Sequence, residues 1–245
     1  MAKEDLQGRV ALVTGGSGGI GRALVRRLAA AGCHVAVSYA GGAEAAGQAV
    51  SEATSLGVRA VALQADLADP GAARDLAVRA TAALGPIDVL VPNAGVSVRT
   101  DLAGVDLDLW QRSLAVNLTA PFLLAQELVP DMARRGFGRV LFVSSVAAFT
   151  GGVVGPHYAA SKAGLHGLVY WLAATYAAHG VAVNAIAPAL VTGTAMMPAN
   201  PEDAARIPVG RFGTTDETAD LAVTMLANGY LTGKIYLLDG GIYPH

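Results

Sequence analysis

The chain has 245 residues, a formal net charge of −2 at pH 7 and a hydrophobic content of 53%. That length is compatible with one α/β domain and is ample for a buried core. The near-neutral charge excludes a basic surplus of the kind that binds nucleic acid or an anionic membrane. The single cysteine, Cys33, excludes an internal disulfide framework and fits the reducing cytoplasm, and the charged residues 1–8 lack the apolar core of a signal peptide.

The first predicted unit is a strand at residues 9–13, a glycine-rich turn and a helix at residues 20–31. Four consecutive apolar residues in the strand are typical of burial on both faces. Glycines let the turn approach a pyrophosphate closely, and the N-terminus of the helix offers free N–H groups to that anion. The unit therefore predicts a dinucleotide phosphate site, although an ordinary glycine-rich turn has the same local pattern.

Strands and helices alternate along the rest of the chain. Further strands are predicted at residues 34–38, 59–64, 87–92, 139–144, 181–187 and 234–238. Further helices are predicted at residues 43–56, 70–83, 107–135, 157–179 and 216–227. Repeated βαβ units with apolar strands imply an α/β fold, in which residues 1–245 form a single doubly wound Rossmann domain. Its parallel seven-stranded sheet has helices on both faces.

An uncharged stretch separates Lys162 from Glu202 and has to be distinguished from a membrane span. Gly164, Gly180 and Pro188 interrupt it, so it predicts a helix followed by a buried strand rather than one long apolar helix. A helix that is apolar on most faces suggests burial against a partner subunit as well as against the sheet. We therefore expect a homo-oligomer, either a dimer or a tetramer.

The residues that follow each strand are the candidate ligand contacts, because ligands bind beyond the carboxyl ends of the strands in such a sheet. Most of these residues are small or polar, which exceeds what unrelated loops would provide. Those expected to contact a cofactor are Gly15, Ser17, Gly19, Ile20, Gly21, Tyr39, Asp66, Leu67, Asn93, Ala94, Gly95, Pro188 and Val191. No residue is assigned to a metal.

Tyr158, Lys162 and Ser145 form a candidate proton-transfer site. Tyr158 and Lys162 lie four residues apart on a predicted helix and share a face, although such a pair alone is commonplace at a protein surface. A tyrosine has an ordinary pKa near 10 and needs help to exchange protons at neutral pH. A lysine charge at roughly 5 Å supplies on the order of 3 kcal/mol at an effective dielectric of about 20, so we expect Lys162 to lower the pKa of Tyr158 by about two.

A set of motifs resembles the short-chain dehydrogenase/reductase family over nearly the whole chain. The motifs are TGGSGGIG at residues 14–21, Asp66-Leu67, NAG at residues 93–95, Asn117, Ser145 in VSSVAAF, the segment from Tyr158 to Lys162, PALVTGT at residues 188–194 and LDGG at residues 238–241. Each motif is weak alone, but their order and spacing together are specific. The overall pattern is most similar to 3-oxoacyl-[acyl-carrier-protein] reductases.

The resemblance implies roles for four catalytic residues. Tyr158 would be the general acid that protonates a substrate carbonyl, and Ser145 would orient that carbonyl. Lys162 would lower the pKa of Tyr158 and bind the nicotinamide ribose. Asn117 would interrupt its helix and hold a water that links Lys162 to solvent, or it would be a helix-kink residue with no relay role.

For the cofactor, the resemblance implies that Asp66 contacts the adenine, that Asn93 supports the adenosine side and that the Val191 backbone meets the carboxamide, while Tyr158 and Lys162 reach the nicotinamide end. The end of the second strand carries Tyr39 and no carboxylate, which favours NADP, with NAD still possible. Gly18 stands where many NADP-using relatives carry a basic residue. Arg22 and the nearby loop backbone are the groups that could substitute for that charge.

The substrate is expected to be a small ketone or alcohol, with a 3-oxoacyl thioester on acyl carrier protein or CoA as the first hypothesis. Residues 190–215 would form a substrate lid. Five apolar residues are expected to flank the mouth of the substrate site. These residues are Phe149, Val153, Val154, Met196 and Met197. Gly136 and His179 stand where arginines that dock a carrier protein are expected, although Arg134 and Arg135 lie nearby. The alternatives are a dehydrogenase of a secondary alcohol, sugar or steroid, or a non-catalytic NAD(P)-binding protein.

Overall fold

The computed structural model of the protein describes residues 6–194, 201–205 and 207–243. Its centre is one parallel seven-stranded sheet with the strand order β3-β2-β1-β4-β5-β6-β7. The strands are β1 (Val10–Val13), β2 (His34–Tyr39), β3 (Ala60–Gln64), β4 (Val89–Val91), β5 (Gly138–Val143), β6 (Val181–Pro188) and β7 (Ile235–Leu238). The predicted fold class is therefore confirmed.

The sheet is apolar because both of its faces are covered. The helices are α1 (Gly19–Ala30), α2 (Ala43–Ser55), α3 (Pro70–Leu84), α4 (Leu107–Leu114), α5 (Ala120–Arg134), α6 (Ala147–Thr150), α7 (Pro156–Tyr176), α8 (Pro201–Ala204) and α9 (Thr215–Leu226). One buried cluster packs α1, α2 and α9 against one face of the sheet. A second cluster packs α3, α5 and α7 against the other face. Burial of both faces explains why the strands are almost continuous runs of Val, Leu, Ile and Ala.

The strand order places a switch point between β1 and β4. The chain moves outward from β1 to β3 and then returns to pair β4 with β1, where Leu12 lies opposite Leu90. The connections on the two sides of this point leave in opposite directions, so a crevice opens at the carboxyl ends of the strands.

The predicted helix at residues 107–135 is wrong as one continuous element. A π-helical turn, Ala115–Thr119, separates α4 from α5, and the amide of Ala120 donates to the carbonyl of Ala115. Pro121 supplies the physical reason, because it has no N–H to donate to the carbonyl of Asn117 four residues earlier. The helical hydrogen-bond pattern has to change at this point.

The predicted helix at residues 157–179 is also divided. Its last three residues, Ala177–His179, form a 3₁₀ turn that ends at Gly180 in the left-handed conformation. No helix within the described part of the chain combines the length and the apolarity that crossing a bilayer requires.

Candidate active site

A cleft of about 500 Å³ opens at the switch point. Every position that the sequence predicts to contact a cofactor lies on its wall, as does Ser145. We call residues 15–21 together with Asn93 the glycine half of this cleft, and Ser145, Tyr158 and Lys162 the tyrosine half. Asn117 is the exception among the predicted site residues, because it is fully buried behind the wall.

In the glycine half, the turn is fastened to the neighbouring strand. The Thr14 hydroxyl accepts hydrogen bonds from the amides of Asn93 (3.0 Å) and Ala94 (2.9 Å). The Asn93 side chain donates to the carbonyls of Thr14 (2.9 Å) and Gly15 (3.2 Å). A Cβ atom on Gly21 would lie 2.0 Å from the Gly15 carbonyl oxygen, so only glycine lets α1 approach this turn. The sequence predicted the turn but missed the part played by Thr14.

The first turn of α1 has open main-chain donors. Its N-cap, Gly18, provides no side-chain hydrogen bond, and Gly15 and Gly19 have φ values of 63° and 52° that favour glycine. Free N–H groups at a helix N-terminus, without a side chain between them and the cleft, suit an anion. The local structure therefore fits the pyrophosphate of a dinucleotide.

Next to the glycine half, Tyr39 ends β2 and Asp66 follows β3. The Asp66 carboxylate accepts a hydrogen bond from the amide of Ala68 (3.1 Å), which fixes the turn below it. The guanidinium of Arg22 is not a free charge in this part of the cleft, contrary to expectation. Its guanidinium binds both carboxylate oxygens of Glu52, at 3.1 and 2.5 Å. The ion pair with α2 explains why Arg22 is a poor substitute for a basic residue at position 18.

In the tyrosine half, Tyr158 is buried and hydrogen-bonded to the side chain of Ser145. Ser145 also accepts a hydrogen bond from the amide of Ala147 (3.2 Å). Burial raises the pKa of Tyr158, because the phenolate would lose its hydration, and the Ser145 hydrogen bond only partly offsets this. The expectation that the pKa of Tyr158 is lowered is therefore wrong for this state of the protein.

The burial of Lys162 explains why its charge does not lower the pKa of Tyr158 as expected. Its ammonium lies 5.9 Å from the Tyr158 ring centroid and donates to the carbonyl of Val143 at 2.8 Å. Burial lowers the pKa of Lys162 to about 8, since the charged ammonium is removed from water. The same desolvation acts on both groups, and it outweighs the attraction that a simple charge–charge estimate assigns to Lys162.

Asn117 lies in the π-helical turn and links three segments of the chain. Its amide group donates to the carbonyl of Val96 (3.0 Å) and to the hydroxyl of Ser161 (3.0 Å), while its side-chain oxygen accepts from the amide of Val96 (2.8 Å). These bonds hold the loop after β4 against α7. Asn117 thus interrupts its helix as expected, but its side chain is already engaged.

Among the cleft-wall residues that the sequence analysis missed, two come from α4 and the π-helical turn. Arg112 and Val116 lie four residues apart on the face that α4 and the π-helical turn present to the cleft. Helical spacing alone gave no indication of which face this would be.

The expected apolar contacts at the substrate mouth are only partly in place. Phe149 and Val153 are 43% and 68% exposed and lie off the cleft wall. Met196 and Met197 lie outside the described residues, as does part of the predicted lid. The rest of that segment is tied down, because the amide of Thr192 donates to the carbonyl of Gly213 (3.0 Å).

Comparison with known proteins identifies relatives along the whole chain. The family model described as short chain dehydrogenase matches residues 9–205. The L-rhamnose 1-dehydrogenase (NAD(P)(+)) of Sphingomonas sp. (strain SKA58) is 35% identical and aligns over 97% of each chain. The 3-oxoacyl-[acyl-carrier-protein] reductase of Synechocystis sp. is 36% identical, over 97% of this chain and 98% of its own. The acetoacetyl-CoA reductase of Rhizobium meliloti is 38% identical, over 96% and 98%.

Solved structures share the fold closely. A blue fluorescent protein from a metagenomic library, crystallised in complex with NADPH, superposes with a TM-score of 0.92 and 37% sequence identity. The match covers 98% of this chain and 100% of that protein.

Proposed function

The chain belongs to the short-chain dehydrogenase/reductase family, and from this premise we propose that it reduces a ketone to a secondary alcohol with NADPH. Family membership makes it an NAD(P)-dependent oxidoreductase that acts on CH–OH groups. The direction, the substrate class and the residue roles are our proposals. The observation that carries them is the hydrogen-bonded pair of Ser145 and Tyr158 beside Lys162, in the same cleft as the glycine turn.

Tyr158 acts as the general acid in this scheme. A bound nicotinamide supplies the hydride, and the protein supplies position and a proton. The Ser145 hydroxyl orients the carbonyl oxygen, and the Tyr158 hydroxyl donates its proton to that oxygen as the alcohol forms. The Tyr158 hydroxyl is protonated at neutral pH, since its ordinary pKa is near 10 and burial raises it, so the proton is available for donation.

Lys162 binds the nicotinamide ribose in this scheme. Its ammonium has three N–H donors, and the described contacts use one of them on the carbonyl of Val143. With a pKa of about 8 it remains mostly protonated at pH 7. Burial leaves its remaining donors with few alternative partners.

Asn117 serves the proton path through its main chain. Because Pro121 has no N–H, the carbonyl of Asn117 cannot receive the usual helical hydrogen bond from the residue four positions later, and we propose that it accepts a hydrogen bond from a water instead. Such a water would connect Lys162 to solvent. The side chain of Asn117 holds the surrounding loop rather than the water itself.

NADP is the cofactor that the glycine half supports best. No carboxylate follows β2 to repel a 2′-phosphate, since Tyr39 occupies that position. A solved relative with 37% identity carries NADPH. Because Arg22 is paired with Glu52 and Gly18 has no side chain, we propose that the preference over NAD is modest.

A 3-oxoacyl thioester is the first substrate candidate, supported by two relatives that reduce 3-oxoacyl-[acyl-carrier-protein] and acetoacetyl-CoA. We favour a CoA thioester over a carrier protein. Arg134 and Arg135 are held in ion pairs with Asp131, and Arg135 binds Asp88 as well. Both arginines are therefore already engaged in ion pairs within the chain, and Gly136 adds no charge.

A sugar dehydrogenase is the second candidate, favoured by the relative that acts on L-rhamnose. One steady-state panel separates the two: reduction of acetoacetyl-CoA with NADPH, and oxidation of L-rhamnose with NADP and with NAD. We expect turnover of acetoacetyl-CoA and none of L-rhamnose. The reverse result would replace the first candidate with the second.

Association into a dimer or tetramer accompanies this function. Tyr170 and Trp171 on α7 are 57% and 60% exposed, and Phe122 on α5 is 41% exposed. Exposed aromatic side chains on these two helices support burial against a partner subunit. Sedimentation at micromolar concentration is expected to give a dimer or tetramer, and a monomer would contradict this part of the proposal.

A further inference from the structure

Three residues at successive turns of α7 face the end of β5. Tyr158, Lys162 and His166 are spaced by four residues and therefore share one side of the helix. Each contacts one of three consecutive residues, namely the last residue of β5 and the two that follow it. Ser145 bonds to Tyr158, Val143 accepts from the Lys162 ammonium at 2.8 Å, and the Ser144 hydroxyl lies 2.9 Å from Nε2 of His166. The face of α7 that carries Tyr158 and Lys162 thus continues for one more turn, to His166.

The hydrogen-bond donors around Ser144 can be assigned. The Ser144 hydroxyl is buried and has a single proton. It donates this proton to the main-chain carbonyl of Lys162, at 3.2 Å, which can only accept. With the Ser144 proton assigned in this way, His166 is the donor in the other contact and carries its own proton on Nε2, whereas the opposite assignment would place that proton on Nδ1. A continuous chain runs from the His166 imidazole through the Ser144 hydroxyl to the Lys162 backbone.

This chain holds Ser145 from the helix side. From the opposite side, the amide of Ser144 donates to the carbonyl of Ile186 (2.8 Å) and the amide of Val146 donates to the carbonyl of Pro188 (3.1 Å). Both residues that flank Ser145 are therefore fixed to β6. The contact of Ser144 with His166 ties the same segment to α7, in addition to the bond from the Ser144 hydroxyl to the Lys162 carbonyl.

We propose that His166 is a positioning residue of the active site, which sets the distance between Ser145 and the Tyr158–Lys162 pair by donating from Nε2 to Ser144. The proposal rests on the proposed function, since it assigns a role in the same reaction. The other side of the imidazole packs against Phe149, with ring centroids 4.8 Å apart, which keeps the ring from turning away. Burial lowers the pKa of His166, so the ring stays neutral beside Lys162.

Two substitutions at one position separate positioning from packing. His166→Leu removes the donor, while His166→Gln keeps an N–H donor at the end of its side chain. Because small misplacements of reacting groups are costly, we expect His166→Leu to lower kcat at least about tenfold and His166→Gln to stay within about threefold of wild type. The Kd for NADPH should be unchanged in both. His179→Leu, which removes an exposed histidine near the end of the same segment, is the matched control.

The outcomes decide the proposal. A kcat for His166→Leu within about twofold of wild type would overturn it, as would a glutamine variant as impaired as the leucine variant. If His166→Leu does not fold, Ser144→Ala removes the acceptor instead and should give the same loss of kcat with unchanged NADPH binding. An unchanged kcat for Ser144→Ala would equally overturn the proposal.

A second measurement does not depend on turnover. ¹⁵N NMR of the full-length protein at neutral pH is expected to show His166 as the neutral Nε2–H tautomer and to show a changed Nε2 signal in Ser144→Ala. A neutral Nδ1–H tautomer would refute the hydrogen-bond assignment. If wild type reduces no ketone but the tautomer is as expected, the proposed function fails while the hydrogen-bond chain stands.

Discussion

In the glycine half of the cleft, the surface that faces the ligand is mostly main chain, whereas in the tyrosine half it consists of three side chains, of which Tyr158 and Lys162 are buried and Ser145 is half-buried. Residue 21 has to be glycine, because a Cβ atom there would lie 2.0 Å from the Gly15 carbonyl oxygen. Tyr158 and Lys162 have pKa values set by burial. One half therefore depends on steric fit and the other on desolvation, so mutations in the two halves should fail in different ways.

The largest effect is expected where steric fit is tightest. Gly21→Ala places a methyl group against the backbone of Gly15, which cannot move aside as a flexible side chain would. We expect the Kd for NADPH to rise on the order of 100-fold, measured by fluorescence titration. Gly47→Ala is the control, because it lies in α2 with open space around it. That variant should bind NADPH normally and be more stable by about 0.5–1 kcal/mol. Normal binding by Gly21→Ala would contradict the steric account.

The next largest effect concerns the end of β2. Tyr39→Asp introduces the carboxylate that repels a 2′-phosphate and accepts a hydrogen bond from a ribose hydroxyl. The ratio of kcat/KM for NADH over NADPH should rise by roughly 100-fold. Tyr39→Phe, which adds no charge, should leave the ratio nearly unchanged. An unchanged ratio of kcat/KM for NADH over NADPH in Tyr39→Asp would mean that the ribose 2′-phosphate does not lie beside residue 39.

The tyrosine half makes a prediction about stability and pH. Lys162 has a folded-state pKa of about 8, below its ordinary 10.5, so the unfolded chain binds more protons between these values. Stability from this group therefore rises with pH. Relative to Lys162→Met, wild type should gain about 2 kcal/mol in unfolding free energy between pH 8 and pH 10. Urea unfolding at pH 7, 8, 9 and 10 measures it, and a constant difference would show that Lys162 is not desolvated.

The smallest effect concerns the ion pair of Arg22 with Glu52. Glu52→Gln releases the guanidinium while preserving the size of the side chain. We expect the Kd for NADPH to fall by about threefold, with no change for NADH, and the gain to disappear in high salt. Equal changes for both cofactors would mean that Arg22 does not reach the 2′-phosphate.

The same comparison explains what could be predicted from the sequence. The sheet and the glycine half follow from contiguous patterns, namely apolar runs and glycines at fixed spacing, and the predicted fold is confirmed. The predicted and observed bounds differ at β4, which is predicted at residues 87–92 and spans Val89–Val91. Just before the first residue of β4, the carboxylate of Asp88 accepts a hydrogen bond from the amide of Val10 (3.1 Å).

The remaining differences come from contacts between distant residues. Glu52 lies 30 positions from Arg22, and nothing in either local pattern indicates that they pair. The direction in which the pKa of Tyr158 moves depends on burial by several elements, which the spacing of Tyr158 and Lys162 does not encode. The π-helical turn did have a sequence indication in Pro121, four residues after Asn117.

The central claim is that the two halves of the cleft perform separable tasks. The most direct test is Tyr158→Phe, assayed for NADPH binding by fluorescence and for reduction of acetoacetyl-CoA in the same preparation. We expect a Kd within about twofold of wild type and a kcat lowered by at least about 100-fold, because only the proton donor is removed. Retained turnover with normal NADPH binding would contradict the assignment of Tyr158 as the acid.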